Sequence, residues 1–318
     1  MKVLYKSFVV LVTVTCCISF LLVGCDDSSG ESSAAITGSI STSTSNSEAD
    51  KAEKIYQEAM YNQRQNNFTN AAKLFREAAM LGHADAQFKL AECYEKGEGV
   101  EFNRTEVIMW LTKSAAQGNG KSQYILAWHL EYGLGVEKNK AEAAALYAKA
   151  FSGLSAAAAQ GDAEAQYLLA GCYFRGVGTE KNIDKSSEWI YKSAEAGYVE
   201  AVYSLFKICK NGKSGRQDYA EAAKWLIRGA ELGHIKSQTR LAGYYEEGWH
   251  DIKKDYSQSL KWYRAAAEQG SAYAQYKMGS FYEAGNIVTK DLKEAEKWYL
   301  KAAAQGDDRA KEALKRLL

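Results

Sequence analysis

Imidazoles and thiols are the side chains best suited to acid–base, nucleophilic or metal chemistry near neutral pH. This chain of 318 residues holds only four histidines and six cysteines. His83 and His234 each follow a glycine, His129 lies in a helix-like stretch and His250 in a loop-like one. No His-x-x-x-His or Cys-x-x-Cys spacing occurs, so no two of them are set to hold a metal ion. No Ser-x-x-Lys is accompanied by a Lys-Thr-Gly segment, and no pair of carboxylates stands out from solvated helix faces. Neither a catalytic residue nor a cofactor or metal ligand is expected.

The elements that would have to position any site are repetitive. Gly82, Gly118, Gly161, Gly197, Gly233, Gly270 and Gly306 recur 36, 43, 36, 36, 37 and 36 residues apart. Five residues after them stand Gln87, Gln123, Gln166, Val202, Gln238 and Gln275, and eight after them a leucine or Met278. Eight residues before them stand Leu74, Trp110, Trp189, Trp225, Trp262 and Trp298, while an insertion near Phe151–Ala157 moves the remaining equivalent back to Leu146. In one unit, Ala222, Trp225, Leu226, Gly229 and Ala230 fall at helical spacing and stop at Gly233, a residue able to take a left-handed C-cap. Ser237, Leu241, Ala242 and Tyr245 mark a second helical stripe, closed by Gly248. Each repeat is thus two antiparallel helices that bury their apolar faces only by stacking on neighbours, which predicts an all-α chain, an α-solenoid. With no proline among 318 residues, glycine and Asn, Asp or Ser caps must set the helix ends.

Between the helices lie Tyr94-Glu-Lys-Gly97-Glu-Gly99-Val100, Tyr132-Gly133-Leu-Gly135-Val136 and Phe174-Arg-Gly176-Val-Gly178. No strand precedes these Gly-x-Gly pairs and no Gly-Lys-Ser/Thr follows, so tight turns rather than phosphate loops are expected. With Ala-Gln-x-x-Leu-Ala upstream and Glu-Ala-x-x-Trp downstream, the pattern resembles the Sel1-like repeat (SLR), a relative of the tetratricopeptide repeat, in six copies over residues 82–306. Residues 51–81 resemble a tetratricopeptide hairpin, and residues 307–318 read as a capping helix. The later copies, at Gly212-Lys-Ser-Gly215, Gly248-Trp249-His250 and Gly285-Asn-Ile287, lack the second glycine at its usual place. Differently shaped loops are expected there.

The resemblance implies that the first helix of each repeat lines a groove. Positions seven and ten after the glycine then face it: Lys89 and Glu92, Ile125 and Trp128, Leu168 and Gly171, Ser204 and Lys207, Arg240 and Gly243, Lys277 and Ser280. Ile125, Trp128 and Leu168 form either an exposed apolar patch for a protein or peptide partner, with Arg240 and Lys277 as a basic end, or part of helices buried on two sides; Trp249 beside His250 is either a second anchor or packed against the neighbouring loop. Some secreted SLR proteins carry two cysteines per repeat as staples, and a penicillin-binding or β-lactamase activity is associated with such relatives. That staple pattern is absent. Cys93 and Cys172 lie two repeats apart, farther than a disulfide reaches. Cys172 and Cys209 are the one pair in adjacent repeats, and a buried free thiol rather than a disulfide is expected for each.

The N-terminus reads as a signal: Lys2 and Lys6 precede an apolar run from Phe8 to Val23 ending in Leu22-Val23-Gly24-Cys25. This resembles the lipobox of bacterial lipoproteins, implying removal of residues 1–24, acylation of Cys25 and a membrane anchor. Residues 25–50 then form a Ser/Thr-rich tether without Lys or Arg, read as disordered. Asp26 and Asp27 after the cysteine resemble an inner-membrane retention signal. Losing two lysines turns 40 basic and 39 acidic residues into 38 and 39. No basic stripe remains for nucleic acid. The expected function is a non-enzymatic scaffold, lipid-anchored in a bacterial envelope and facing the periplasm, that binds a protein or peptide in its groove. Relatives imply a narrower version, an immunity protein against an envelope-attacking toxin. A cell-wall or β-lactam hydrolase is the competing class.

Overall fold

The computed structural model describes residues 40–212 and 217–317. The array occupies the unit Asn46–Leu318, and of the unit Met1–Ser45 only helical residues from Ile40 on are described. Cys25 and the signal and lipobox expectations lie outside the described residues, as does Gly215. Described are α1 (Ile40–Arg64) and α2 (Phe68–Met80), α3 (Ala84–Lys96) and α4 (Arg104–Ala116), α5 (Gly120–Tyr132) and α6 (Lys140–Ala159), and α7 (Ala163–Arg175) and α8 (Ile183–Glu195). There follow α9 (Val199–Asn211) and α10 (Tyr219–Glu231), α11 (Ile235–Glu247) and α12 (Tyr256–Glu268), α13 (Ala272–Ala284) and α14 (Leu292–Ala304), and α15 (Asp308–Leu317). From α2 to α15 each packs chiefly on its neighbours in the chain, as an all-α solenoid requires. No described helix is long and apolar enough to cross a membrane.

The tether expected through Asp50 ends sooner. Residues 40–50 belong to α1, because Glu48-Ala49-Asp50-Lys51-Ala52-Glu53 are helix-compatible residues next to the turn anchored by buried Ala52. Extending an existing helix costs far less than nucleating one.

Caps do the work that proline leaves undone. The second helices start at Asn103, Asn139, Asn182, Asp218, Asp255 and Asp291, whose side-chain oxygens accept backbone N–H groups of the first turn. The first helices α3, α5, α7, α9 and α13 end at left-handed glycines. The second glycine of the Gly-x-Gly loops answers a different need. A Cβ on Gly99 would stand 2.1 Å from the Phe68 carbonyl oxygen, and one on Gly178 would stand 2.3 Å from that of Tyr147. These loops therefore lie directly on the second helix of the preceding pair.

The insertion near Phe151–Ala157 is absorbed as helix: α6 has 20 residues where the other second helices have 13. A Cβ on Gly120 would lie 2.9 Å from the Leu154 nitrogen, and one on Gly153 3.2 Å from Gly120 Cα. Two facing glycines let the longer helix lie against α5.

Polar ladders fix the stacking register. Gln87, Gln123, Gln166, Gln238 and Gln275 each donate Nε2–H to the carbonyl of Ala79, Ala115, Ala158, Ala230 and Ala267 at 3.0–3.1 Å. The Oε1 atoms of Gln87, Gln238 and Gln275 accept from Gln117, Gln269 and Gln305, the residues just before the next glycine. Before Gly197 that residue is Ala196, and Gln166 Oε1 is buried without a partner. Where the buried position is Val202, its counterpart is Leu232, so no amide needs satisfying. Ala196 is exposed, and Ala196→Gln is expected to stabilise the protein by about 1 kcal/mol, the net worth of one hydrogen bond to a buried acceptor. The urea midpoint should rise, and the gain should vanish in a Gln166→Leu background. An equal gain in both backgrounds would disprove the ladder.

A second ladder joins Glu131 to Tyr147 and Arg175, Glu246 to Tyr263 and Lys277, and Glu283 to Tyr299 and Arg316. Burial pushes the Glu131 carboxyl upward, but hydrogen bonds from Arg175 and Tyr147 outweigh it and hold it below the usual carboxylate range. Around these ladders the buried side chains form four clusters along the array, joined where Tyr167, Trp262 and Tyr282 pack against two clusters each.

Candidate functional site

The first helices α3, α5 and α7 share one face: Lys89 Nζ on α3 reaches Glu164 on α7 at 3.1 Å, across the intervening α5. Lys89 also lies 2.6 Å from Glu92, which takes Lys96 at 3.3 Å, while Lys121 lies 3.0 Å from Asp162 and 3.4 Å from Glu164. Three lysines thus meet three carboxylates. The ammonium groups of Lys89 and Lys121 also sit over the Phe88 ring at 5.2 and 5.3 Å. Burial alone would lower the Lys89 pKa, and the charges of Glu92 and Glu164 more than reverse it. Glu164 is pushed upward by burial first and by the charge of Glu92 second, against the pull of Lys89 and Lys121. A network that neutralises itself leaves no charged group over for a substrate, so its role is to tie α3, α5 and α7 together.

The same closure revises the apolar patch. Leu168 on α7 is 9% exposed and Ile125 on α5 is packed on the core, because each of these first helices is covered by its neighbours. Together with Phe88, Val107, Leu111 and His129 they line a cleft of 170 Å³. Trp128 alone of the three is on the surface, 39% exposed, with its ring 5.5 Å from that of exposed Tyr132. The basic end is also divided. Lys277 is held by Glu246 at 2.7 Å and lies over Tyr263 and Phe281, whereas Arg240 is exposed and makes no ion pair among the described residues.

Trp249 is not a free anchor. It stacks on Tyr244 at 4.3 Å and meets Phe206 and Tyr219 edge-on, while His250 stacks on Tyr219 at 3.6 Å. Without the second glycine the loop makes an isolated bridge between Trp249 and Ile252, with His250 at φ 47°, and folds the indole inward.

The residues that invited chemical readings have structural uses. His129 is buried and donates Nδ1–H to the Leu134 carbonyl at 2.8 Å, closing the turn after α5. His83 accepts the Ala86 N–H at Nδ1 and donates Nε2–H to Glu53 at 2.8 Å, joining α1 to α3. Cys93, Cys172 and Cys209 are free and buried, and burial pushes the thiols of Cys93 and Cys172 up to about 12, far from a nucleophilic thiolate at neutral pH. Among the described residues no group of three His, Cys, Asp or Glu side chains is placed to hold a metal ion.

Further along, two more cavities open on the first helices. One of 290 Å³ lies between α7, α8 and α9, lined by Tyr167, Gly171, Phe174, Ile190, Ser204 and Ile208 among others. It opens at one of the interruptions of the second polar ladder: Phe174 and Ile190 stand at the positions held by Glu131 and Tyr147, Glu246 and Tyr263, and Glu283 and Tyr299 in three other repeats. No charge pattern marks this gap in the sequence, and only comparison of equivalent positions across repeats reveals it. The other cavity, of 570 Å³, lies between α9, α11 and α13.

A family model described as the Sel1 repeat matches residues 55–83, 84–119, 120–153, 163–198, 199–234, 235–271 and 272–307. The first of these is the hairpin read as tetratricopeptide-like, so the array holds seven matching segments rather than six. No curated protein sequence matches the chain. Among solved structures, a Sel1 repeat protein from Oxalobacter formigenes is similar at 27% identity and a TM-score of 0.51, over 89% of this chain and 91% of that one. A protective antigen of uropathogenic Escherichia coli strains with an SLR fold is similar at 25% identity and a TM-score of 0.44, over 86% of this chain and 64% of that one. An immunity protein from Pseudomonas aeruginosa is similar at 19% identity and a TM-score of 0.48, over 71% and 83%. With family segments covering most of its length and the helix pairs they describe stacked in order, this chain belongs to the Sel1 repeat family.

Proposed function

We propose that this protein is a non-catalytic interaction scaffold, held by lipid at a bacterial envelope membrane and facing the periplasm, that binds a polypeptide segment along its first helices. One observation carries this reading. The cavities of 170, 290 and 570 Å³ follow one another along the array, the first two sharing α7 and the last two sharing α9. A row of recesses on one face suits a ligand extended over several repeats, which a polypeptide at about 3.3 Å per residue supplies. Anchoring would rest on Cys25 and its lipobox-like surroundings, with Asp26 and Asp27 favouring the inner membrane. Stable anchoring takes more than one acyl chain.

A photo-crosslinking residue placed at Ser204, inside the row, should capture a polypeptide in living cells, while one at Lys192 on α8 should not. Capture of glycan or lipid alone at Ser204 would replace the scaffold by a structural envelope protein. If the captured polypeptide is an envelope-attacking enzyme that this protein silences, the scaffold is of the immunity kind. Reporter-substrate turnover abolished by a single substitution would instead revive the hydrolase. Separately, Cys25→Ala is expected to move the protein from the membrane fraction to the soluble periplasm, and unchanged fractionation would remove the lipid from the reading.

A further inference from the structure

The two ends of the first-helix face balance their charges differently. On α3, α5 and α7 the lysines are all engaged by carboxylates at 2.6–3.4 Å. On α11, Lys236 and Arg240 are exposed and neither makes an ion pair among the described residues. Both line the 570 Å³ cleft, whose walls are Tyr203, Tyr244, Tyr263 and Tyr273 and whose one carboxylate is that of Glu247. Nearby Lys210 donates to the Tyr244 hydroxyl at 3.0 Å, sits over the Phe206, Tyr244 and Trp249 rings, and makes no ion pair among the described residues. The field is felt locally: His234, at the start of α11, is held down to about 4 by burial first and then by the charges of Lys236 and Lys207. Room comes from Gly243, where an added Cβ would meet nothing nearer than the Tyr263 hydroxyl at 3.4 Å.

Resting on the scaffold reading above, the geometry points to this cleft as the site for an acidic segment of a partner protein, with carboxylates on Lys236 and Arg240 and an apolar side chain among the tyrosines. The guanidinium fork matches a carboxylate with two parallel hydrogen bonds, and the tyrosine faces offer amphipathic contact area. Nucleic acid fits less well. It needs a long basic stripe, whereas here the cations occupy one cleft beside a self-neutralised stretch, in a chain with 40 bases and 39 acids.

The test is selection of a random dodecapeptide library on the full-length protein in non-ionic detergent, followed by fluorescence anisotropy of the enriched peptides and of a labelled single-stranded oligonucleotide. Enriched peptides should carry Asp or Glu beside apolar residues. Arg240→Glu should weaken them about a hundredfold, as charge reversal at a desolvated contact does, and Gly243→Met should block them without altering charge. Both variants should melt like the wild type, since neither removes a partnered side chain. Enriched peptides without acidic bias, or acidic peptides indifferent to both variants, would overturn the acidic-segment assignment while leaving the groove a peptide site. Tighter binding of the oligonucleotide than of any acidic peptide would overturn it in favour of a polyanion. Enrichment of nothing would overturn it together with the polypeptide reading.

Discussion

Gly178→Ala is expected to destabilise the protein by about 2–5 kcal/mol, more than substitution of any turn glycine that ends a second helix. Two costs add. At φ +70° an L-residue is strained by about 1–2 kcal/mol. The new Cβ would also stand 2.3 Å from the Tyr147 oxygen and 2.9 Å from its carbonyl carbon, so a backbone segment of α6 must move, an overpacking cost of about 1–3 kcal/mol. Gly161→Ala separates the terms: its φ is +93°, but a Cβ there meets nothing within 4 Å. Strain alone should apply, at about 1–2 kcal/mol. Urea unfolding with unchanged m-values measures both. Equal losses at the two positions would show that the Gly-x-Gly loop is kept only for its turn and not for contact between successive pairs.

Lys89→Met is expected to cost about 3 kcal/mol at pH 7. Its ammonium separates Glu92 from Glu164, and the side chains of Lys89, Glu92 and Glu164 are only 15, 20 and 13% exposed, so solvent screens them little. Glu164→Gln is expected to cost under about 1 kcal/mol, because burial already disfavours its charge and Lys89 and Lys121 keep Glu92 and Asp162. Lys89→Met/Glu164→Gln should then be more stable than Lys89→Met alone, a coupling that a double-mutant cycle reads directly. The pH dependence has a definite sign. A carboxyl whose folded pKa is raised gives its stabilisation below its unfolded value, about 4.3, and loses it as pH rises through the folded value. Removing Lys89 raises Glu164 further, so the deficit of Lys89→Met should be full near pH 7 and shrink toward pH 4–5 as Glu164 takes a proton. Glu92, held low by Lys89 and Lys96 against burial, acts oppositely in the wild type: its contribution is present above the unfolded value and lost as pH falls through the folded one. A deficit that stays constant with pH would show that Lys89 acts by packing rather than by charge.

The parts of the fold legible beforehand are those that each repeat states again. Gly82 to Gly306, the buried glutamines and the leucines eight after each glycine impose a period and two helical stripes, and short-range rules turn these into caps and helix pairs. Less legible is whatever depends on two repeats at once. Glu131, Tyr147 and Arg175 share no local motif, and their union requires α5, α6 and α7 to be stacked. Of the two readings of Leu168 the structure shows the buried one for the same reason: an outward position on one helix is an inward one when the next first helix closes over it. Trp249 packs inward rather than serving as an anchor because a loop without its second glycine chooses a path that no neighbouring repeat demonstrates.

The amino-acid sequence by itself determined the helix pairs, their number and their order, since period, caps and apolar stripes act within about 40 residues of chain. The tertiary structure alone decided which charges are spent on one another and which remain. Lys89 and Lys121 are neutralised because the tightly apposed α3, α5 and α7 bring Glu164 to them. Lys236 and Arg240 stay unpaired because no acid on α9 or α13 reaches across the wider cleft at Gly243. Coulomb interactions depend on distance through space, and for side chains 75 residues apart, as Lys89 and Glu164 are, that distance exists only after stacking.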